Sequence, residues 1–180
     1  MPFTIKIEPE WNIIKTIKKA IANDPIMLKQ GRDFLEATTM TAIELVENAL
    51  KYSDFEASRP VEFLFDANLG RCHISVINGC RKQESKDALL EILSEIKKGD
   101  PFTLYVARLQ KLKDNPDGFS RMGLLRISYE AEFKLDAKIE DSMITISAWL
   151  AEIASSSRSV ISAARRLSTE PTSGRTRMPS

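Results

Sequence analysis

The chain reads as an α+β protein: a mixed or antiparallel sheet with helices layered on one face. Three observations predict this. Five short segments alternate apolar and polar residues with the period of a half-buried strand, and four of them fall into pairs joined by turn residues. Hairpin pairing of that kind does not build a parallel sheet. Longer segments with helical periodicity lie before and between the pairs, and 180 residues at 43% hydrophobic content suffice for one domain with its own core.

The elements follow in order. "FTIKIEP" alternates Phe3, Ile5 and Ile7 and reads as a strand. "EWNIIKTIKKAIAND" puts Ile14, Ile17 and Ile21 at helical spacing, and Asn23-Asp24-Pro25 ends the helix. Residues 31–52 read as a second, longer helix. "RPVEFLFDA" and "RCHISVIN" are strands joined at Asn68-Leu69-Gly70, a hairpin turn. Residues 85–98 form a helix with Leu89, Ile92, Leu93 and Ile96 on one side. Gly99-Asp100-Pro101 then supplies a helix stop, an N-cap and a first-turn proline. The next helix carries Phe102, Tyr105, Val106, Leu109 and Leu112 as its apolar stripe. "KDNPDGFSRMG" is a loop, "LLRISYE" a short helix, and "AEFKLDAKIEDSMITISAWL" two strands turning at Glu140-Asp141.

From residue 154 the composition shifts to Ser, Thr and Arg, and residues 168–180 have almost nothing to bury, so this tail is expected to be disordered. Within it, Arg165-Arg166-Leu167-Ser168 matches a basophilic kinase site, a pattern short enough to arise by chance.

Charge narrows the function classes. From residue 151 onward five arginines face two glutamates, a net +3, which leaves −2 on the first 150 residues of a chain whose total is +1. An acidic body with a basic tail is not a phosphate-backbone binder, so no nucleic-acid partner is expected. No apolar run approaches the roughly 18 residues that cross a bilayer, and the N-terminus does not read as a signal peptide, so no membrane partner and a cytoplasmic location are expected. Cys72 and Cys80 form neither a disulfide framework nor a zinc-binding spacing. His73, the single histidine, lies mid-strand without the partners that acid–base catalysis needs.

The chemistry concentrates in "TAIELVENALKYS". At about 100° per residue, Leu35, Ala42, Ile43, Val46, Ala49 and Leu50 share one arc of the helix, and Glu44, Asn48 and Lys51 lie together on the other side. Glu44 and Asn48, four apart, are neighbours that can present oxygen atoms to a hard cation, and Lys51 can meet a phosphate. Spacing alone describes any solvated helix face equally well.

"ELVENALKYS" resembles the N-box of the GHKL ATPases, the superfamily of gyrase, sensor histidine kinases and anti-sigma serine kinases. The strand and helix that precede it match the small anti-sigma kinase type. The resemblance implies a two-layer α/β sandwich of the Bergerat type, with a mixed sheet, over residues 1–153. It implies ATP and Mg²⁺ as cofactors, Asn48 as the Mg²⁺ ligand, Glu44 as general base or water-orienting residue, and Lys51 near the phosphates. The family's adenine-reading Asp-x-Gly-x-Gly falls on Asn78, Gly79 and Cys80. Asn78 stands where the acid belongs, and Gly79 sits one place early. The phosphate loop falls on "DGFSRMGLLRI", with Gly118 and Gly123 present, Leu125 in place of the last glycine, and Arg121 adding a positive charge.

No "HExxP" phosphoacceptor segment accompanies these motifs, so a complete histidine kinase is excluded. The resemblance therefore implies a stand-alone ATP-binding regulatory domain, a kinase or ATPase of the anti-sigma or partner-switching sort. Its partner would be a small anti-sigma-factor antagonist or a sigma factor, and a homodimer is compatible with it. The altered motifs leave a second reading open: a protein-interaction scaffold that keeps the fold without catalysis.

Overall fold

The computed structural model describes residues 2–56, 60–114 and 122–150. The expected tail, 154–180, lies outside the described residues. The elements are β1 (Phe3–Ile7), α1 (Ile13–Ala22), a 3-10 turn (Met27–Lys29), α2 (Arg32–Tyr52), β2 (Val61–Asn68), β3 (Arg71–Gly79), α3 (Gln83–Lys98), α4 (Pro101–Asp114), α5 (Met122–Tyr129), β4 (Lys134–Glu140) and β5 (Met143–Leu150).

The five strands make one sheet in the order β1-β2-β3-β5-β4, and all four pairings are antiparallel. Of the two sheet types expected, the mixed one is therefore not realised. β1 returns to pair with β2 across two helices, with Ile5 opposite Phe63, and runs antiparallel there too. The β2–β3 hairpin turns at Leu69-Gly70, where Gly70 has φ 74°, a conformation that costs a glycine little. The β4–β5 turn uses Asp141 at φ 53°, which a short polar side chain tolerates. The buried α3 residue Lys86 donates its ammonium to the Asp141 carbonyl at 2.6 Å and so ties this turn to the helical layer.

One face of the sheet carries the core. Val61, Phe63, Phe65 and Ala67 of β2 alternate with exposed or half-buried neighbours, as do Ile144, Ile146, Ala148 and Leu150 of β5. The helices cover that face, making a two-layer α/β sandwich. The other face stays polar at its centre, where Ser75 and Ser147 sit opposite each other with hydroxyls 2.9 Å apart. His73 is exposed in register with Asp66 and Trp149. Cys72 and Cys80 are both buried and unbridged. Burial drives the Cys72 thiol up to about 12, against a smaller opposing hydrogen bond to Thr38.

Two helices are rotated from the faces expected of them. On α2 the buried arc is Phe34, Thr38, Thr41, Ala42, Leu45, Val46 and Ala49, whereas Leu35, Ile43 and Leu50 are only partly buried. Thr38 and Thr41 are fully buried in that arc, beside the small Ala42 and Ala49. Glu44 and Asn48 consequently lie half-buried on its flank rather than opposite the core. On α4, Phe102 and Leu109 of the expected stripe are exposed. That helix leans on α5, with the rings of Phe102 and Tyr105 each 5.3 Å from Tyr129.

Truncation at the centre of the inner face tests this account. Phe63 is fully buried, so Phe63→Ala is expected to cost about 3–5 kcal/mol in urea unfolding. A loss below about 1 kcal/mol would mean that the sheet's inner face is not the core.

Candidate functional site

A cleft of about 200 Å³ opens between α2, α3, the first turn of α5 and the inner face of β3 and β5. Asn48 and Tyr52 border it from α2, Asn78 and Cys80 from the end of β3, Glu84 and Leu89 from α3, and Leu124 from α5. Asn78 is 5% exposed, and its side-chain nitrogen donates to the Gly79 carbonyl at 3.3 Å. Its side-chain oxygen is thus the atom left to accept in the cleft. The same Gly79 carbonyl takes the Asp54 amide at 2.8 Å, and Asp54 pairs with Arg81 at 2.9 Å. These bonds anchor the segment after α2 to the end of β3, and hold Asn48 and Asn78 on a common wall.

Glu44 is placed elsewhere. It faces an open groove of about 490 Å³ between α1, α2 and α5, which it shares with Lys18, Glu36, Met40, Glu47 and Arg126. Its carboxylate accepts from the Arg126 guanidinium at 2.5 Å. Arg126 also bonds Glu130 at 3.3 Å and touches the Met40 sulfur at 3.5 Å. Desolvation raises the Glu44 carboxyl above the usual carboxylate range, and Arg126 pulls against it without winning. Gly123, at the start of α5, lies against this carboxylate so closely that a Cβ there would collide with it. α5 therefore stands between the two cavities, with Leu124 in the cleft and Arg126 in the groove.

Of the residues singled out from the sequence, the fold brings Asn48 and Asn78 together, with Gly79 beside them. It brings Glu44 and Gly123 together in the neighbouring groove. Lys51 enters neither cavity: its ammonium pairs with Glu47 at 3.2 Å and lies 6.0 Å from the Trp11 ring. Gly118 and Arg121 lie outside the described residues. Arg126 and Glu84 escaped sequence reasoning. Arg126 was legible only as the single charge inside an otherwise apolar short helix, four residues before Glu130. Glu84 had no mark beyond its place in the first turn of α3.

The Glu44–Arg126 pair predicts a pH dependence. A carboxyl whose folded pKa lies above its unfolded value stabilises the fold below the unfolded value, and that contribution is lost as pH rises through the folded one. Arg126→Met removes the group that opposes this rise. Its Tm deficit relative to wild type is expected to be large at pH 7.5 and small at pH 4.5; equal deficits at both pH values would refute the pairing.

No family model matches the chain, and no curated protein matches it. Among solved structures it is similar to a chain in the crystal structure of the SiaB–SiaC complex from Pseudomonas aeruginosa. That match has a TM-score of 0.62 at 18% identity and covers 83% of this chain and 88% of the other. At such an identity the likeness establishes a shared fold.

Proposed function

We propose that the chain is a regulatory domain of the GHKL type, which binds an adenine nucleotide in the cleft between α2 and α3 and acts through a protein partner. The observation that carries this reading is the convergence of Asn48 and Asn78, from distant parts of the sequence, on one cleft. The first turn of α5 reaches the same cleft through Leu124, and a helix N-terminus is suited to a phosphate. The structural neighbour was crystallised in a two-protein complex, which supports a partner for this chain; an anti-sigma antagonist or a sigma factor fits the resemblance.

The donor set suits Mg²⁺ held jointly with a nucleotide. Mg²⁺ takes few protein ligands and relies on phosphate and water for the rest. Asn48 would supply the side-chain oxygen, and among the described residues no cluster of three carboxylate, histidine or cysteine ligands competes for the ion. When bound, the metal neutralises phosphate charge. Asn78 orients the base by accepting from its amino group. Glu44 would serve the transfer of a phosphoryl group to a partner's hydroxyl by taking up its proton, which requires its carboxylate to leave Arg126.

That requirement favours a second reading on its own observation. Glu44 is engaged outside the cleft, and no basic side chain lines the cleft among the described residues. A scaffold that senses nucleotide, or only its partner, without turnover meets both facts.

Calorimetric titration of ATP and ADP, with and without Mg²⁺, separates the readings. Wild type is expected to bind ATP more tightly with Mg²⁺. Asn48→Ala should lose about tenfold or more of that gain, since even outer-shell partners of a metal are worth about 10–100-fold. No detectable binding at millimolar nucleotide would sink the nucleotide reading. Binding without phosphate transfer to a co-purified partner would select the scaffold.

A further inference from the structure

α2 carries a second apolar face, turned away from the sheet. Leu35 and Ile43, which helical periodicity assigns to the core, are only partly buried. With Met40 they floor the open groove of about 490 Å³ between α1, α2 and α5. Leu35, Thr39 and Ile43 recur every fourth residue and so form one ridge along the helix. Glu36 and Glu47, eleven residues or about three turns apart, stand on the same side of α2 and mark the two ends of the groove. They pair with Arg32 and Lys51 of their own helix at 2.6 and 3.2 Å, near-surface contacts of a kind worth little, so both carboxylates can exchange partners at small cost.

The chain itself supplies a segment that matches. Thirty residues follow Leu150, and they carry a net +3 against −2 on the first 150. Residues 168–180 have almost nothing to bury, but "RSVISAARRL", residues 158–167, does. Val160, Ala164 and Leu167 recur at i, i+4 and i+7, the spacing of an amphipathic helix, with Ile161 beside them. Arg158 and Arg165, seven apart, share one flank of that stripe. The exit point suits the reach. Leu150 stands opposite Cys72, and Cys72 lies beside Thr38 of α2, the neighbour of groove residue Thr39. The ten residues 151–160 span up to about 33 Å, and a helix with its side chains is only about 12 Å across. A short flexible tether of this kind holds its segment at an effective concentration of the order of millimolar.

We propose that residues 158–167 fold back as an amphipathic helix into the groove between α1, α2 and α5, with Val160, Ala164 and Leu167 on Leu35, Met40 and Ile43, and with Arg158 and Arg165 toward Glu36 and Glu47. An apolar helix face laid into an apolar groove, with charges at the rim, is a recurrent mode of recognition. The docked segment covers the groove in which Glu44 meets Arg126 and leaves the cleft open, so this holds whatever the cleft binds.

The test is hydrogen–deuterium exchange on the full chain, read by mass spectrometry and corrected for intrinsic rates. Amides of residues 160–167 are expected to exchange about tenfold more slowly than those of 171–180, as in a segment docked about nine-tenths of the time. Glu36→Lys with Glu47→Lys should abolish that protection. Arg158→Glu with Arg165→Glu should abolish it from the other side, and the two pairs combined should restore part of it. Glu36 is exposed and Glu47 only partly buried, so the charge reversals on α2 should leave the fold intact. Equal exchange in the two stretches overturns the proposal. So does protection that survives the α2 reversals, which places the segment elsewhere, and so does protection that fades on dilution, which makes the occupant the tail of a second copy.

Discussion

The structure depends on how α2 packs against the sheet. A two-layer sandwich has one apolar face to cover, and α2 is its longest cover, laid across β3 with Thr41, Leu45 and Ala49 inward. The helical period then leaves no freedom to its flanks: with Leu45 and Ala49 down, Asn48 must border one cavity and Glu44 the other. A one-residue slip of the helix would turn Asn48 away from Asn78 and bring a charged flank onto the core. Packing energy, far larger than any single polar contact, thus sets the placement of the polar groups.

α5 completes both cavities from the opposite side. It is short and mostly apolar, and Leu124, Leu125 and Ile127 hold it down. Its one cation, Arg126, meets Glu44 where both are partly withdrawn from water. Such a pair costs desolvation on each partner, which on the Glu44 side outweighs the pull of Arg126 and on the Arg126 side is outweighed by Glu130 and Glu44 together. The pair fixes the geometry of this corner. It keeps the Glu44 carboxylate against Gly123 and apart from Asn48, though the two residues are only four positions apart on one helix.

The cleft and the groove differ in kind. The groove is open and carries charges of both signs, which solvent and neighbouring side chains satisfy. The cleft is smaller and carries one charged side chain, Glu84, among its described lining residues, with Asn48, Tyr52, Asn78 and Ser85 as its other polar side chains. A ligand gains more from the second environment, because hydrogen bonds made away from water count for more and unmade ones cost more.

The sequence by itself determined the alternation of the five strands, the turns at Gly70 and Asp141, the cap at Asp100 and the existence of every α-helix described. Each of these is a local matter of period, φ or a side chain bonding its own backbone, as Asp100 does with the Thr103 amide at 2.8 Å. It also marked Asn48 and Asn78, by their positions within a motif and at the end of a strand. Only the tertiary structure decided that these two share a cleft, that the sheet is antiparallel throughout, and that Glu44 turns to Arg126. The apolar stripes of α2 and α4 misled, because a helix is rotated by the shape of what it packs on and not by hydrophobicity alone. Arg126 drew no attention in the sequence because its only near neighbour of opposite charge, Glu130, marks an ordinary helix-surface pair. Its partner Glu44 lies 82 residues away, and non-local contacts leave no periodic trace.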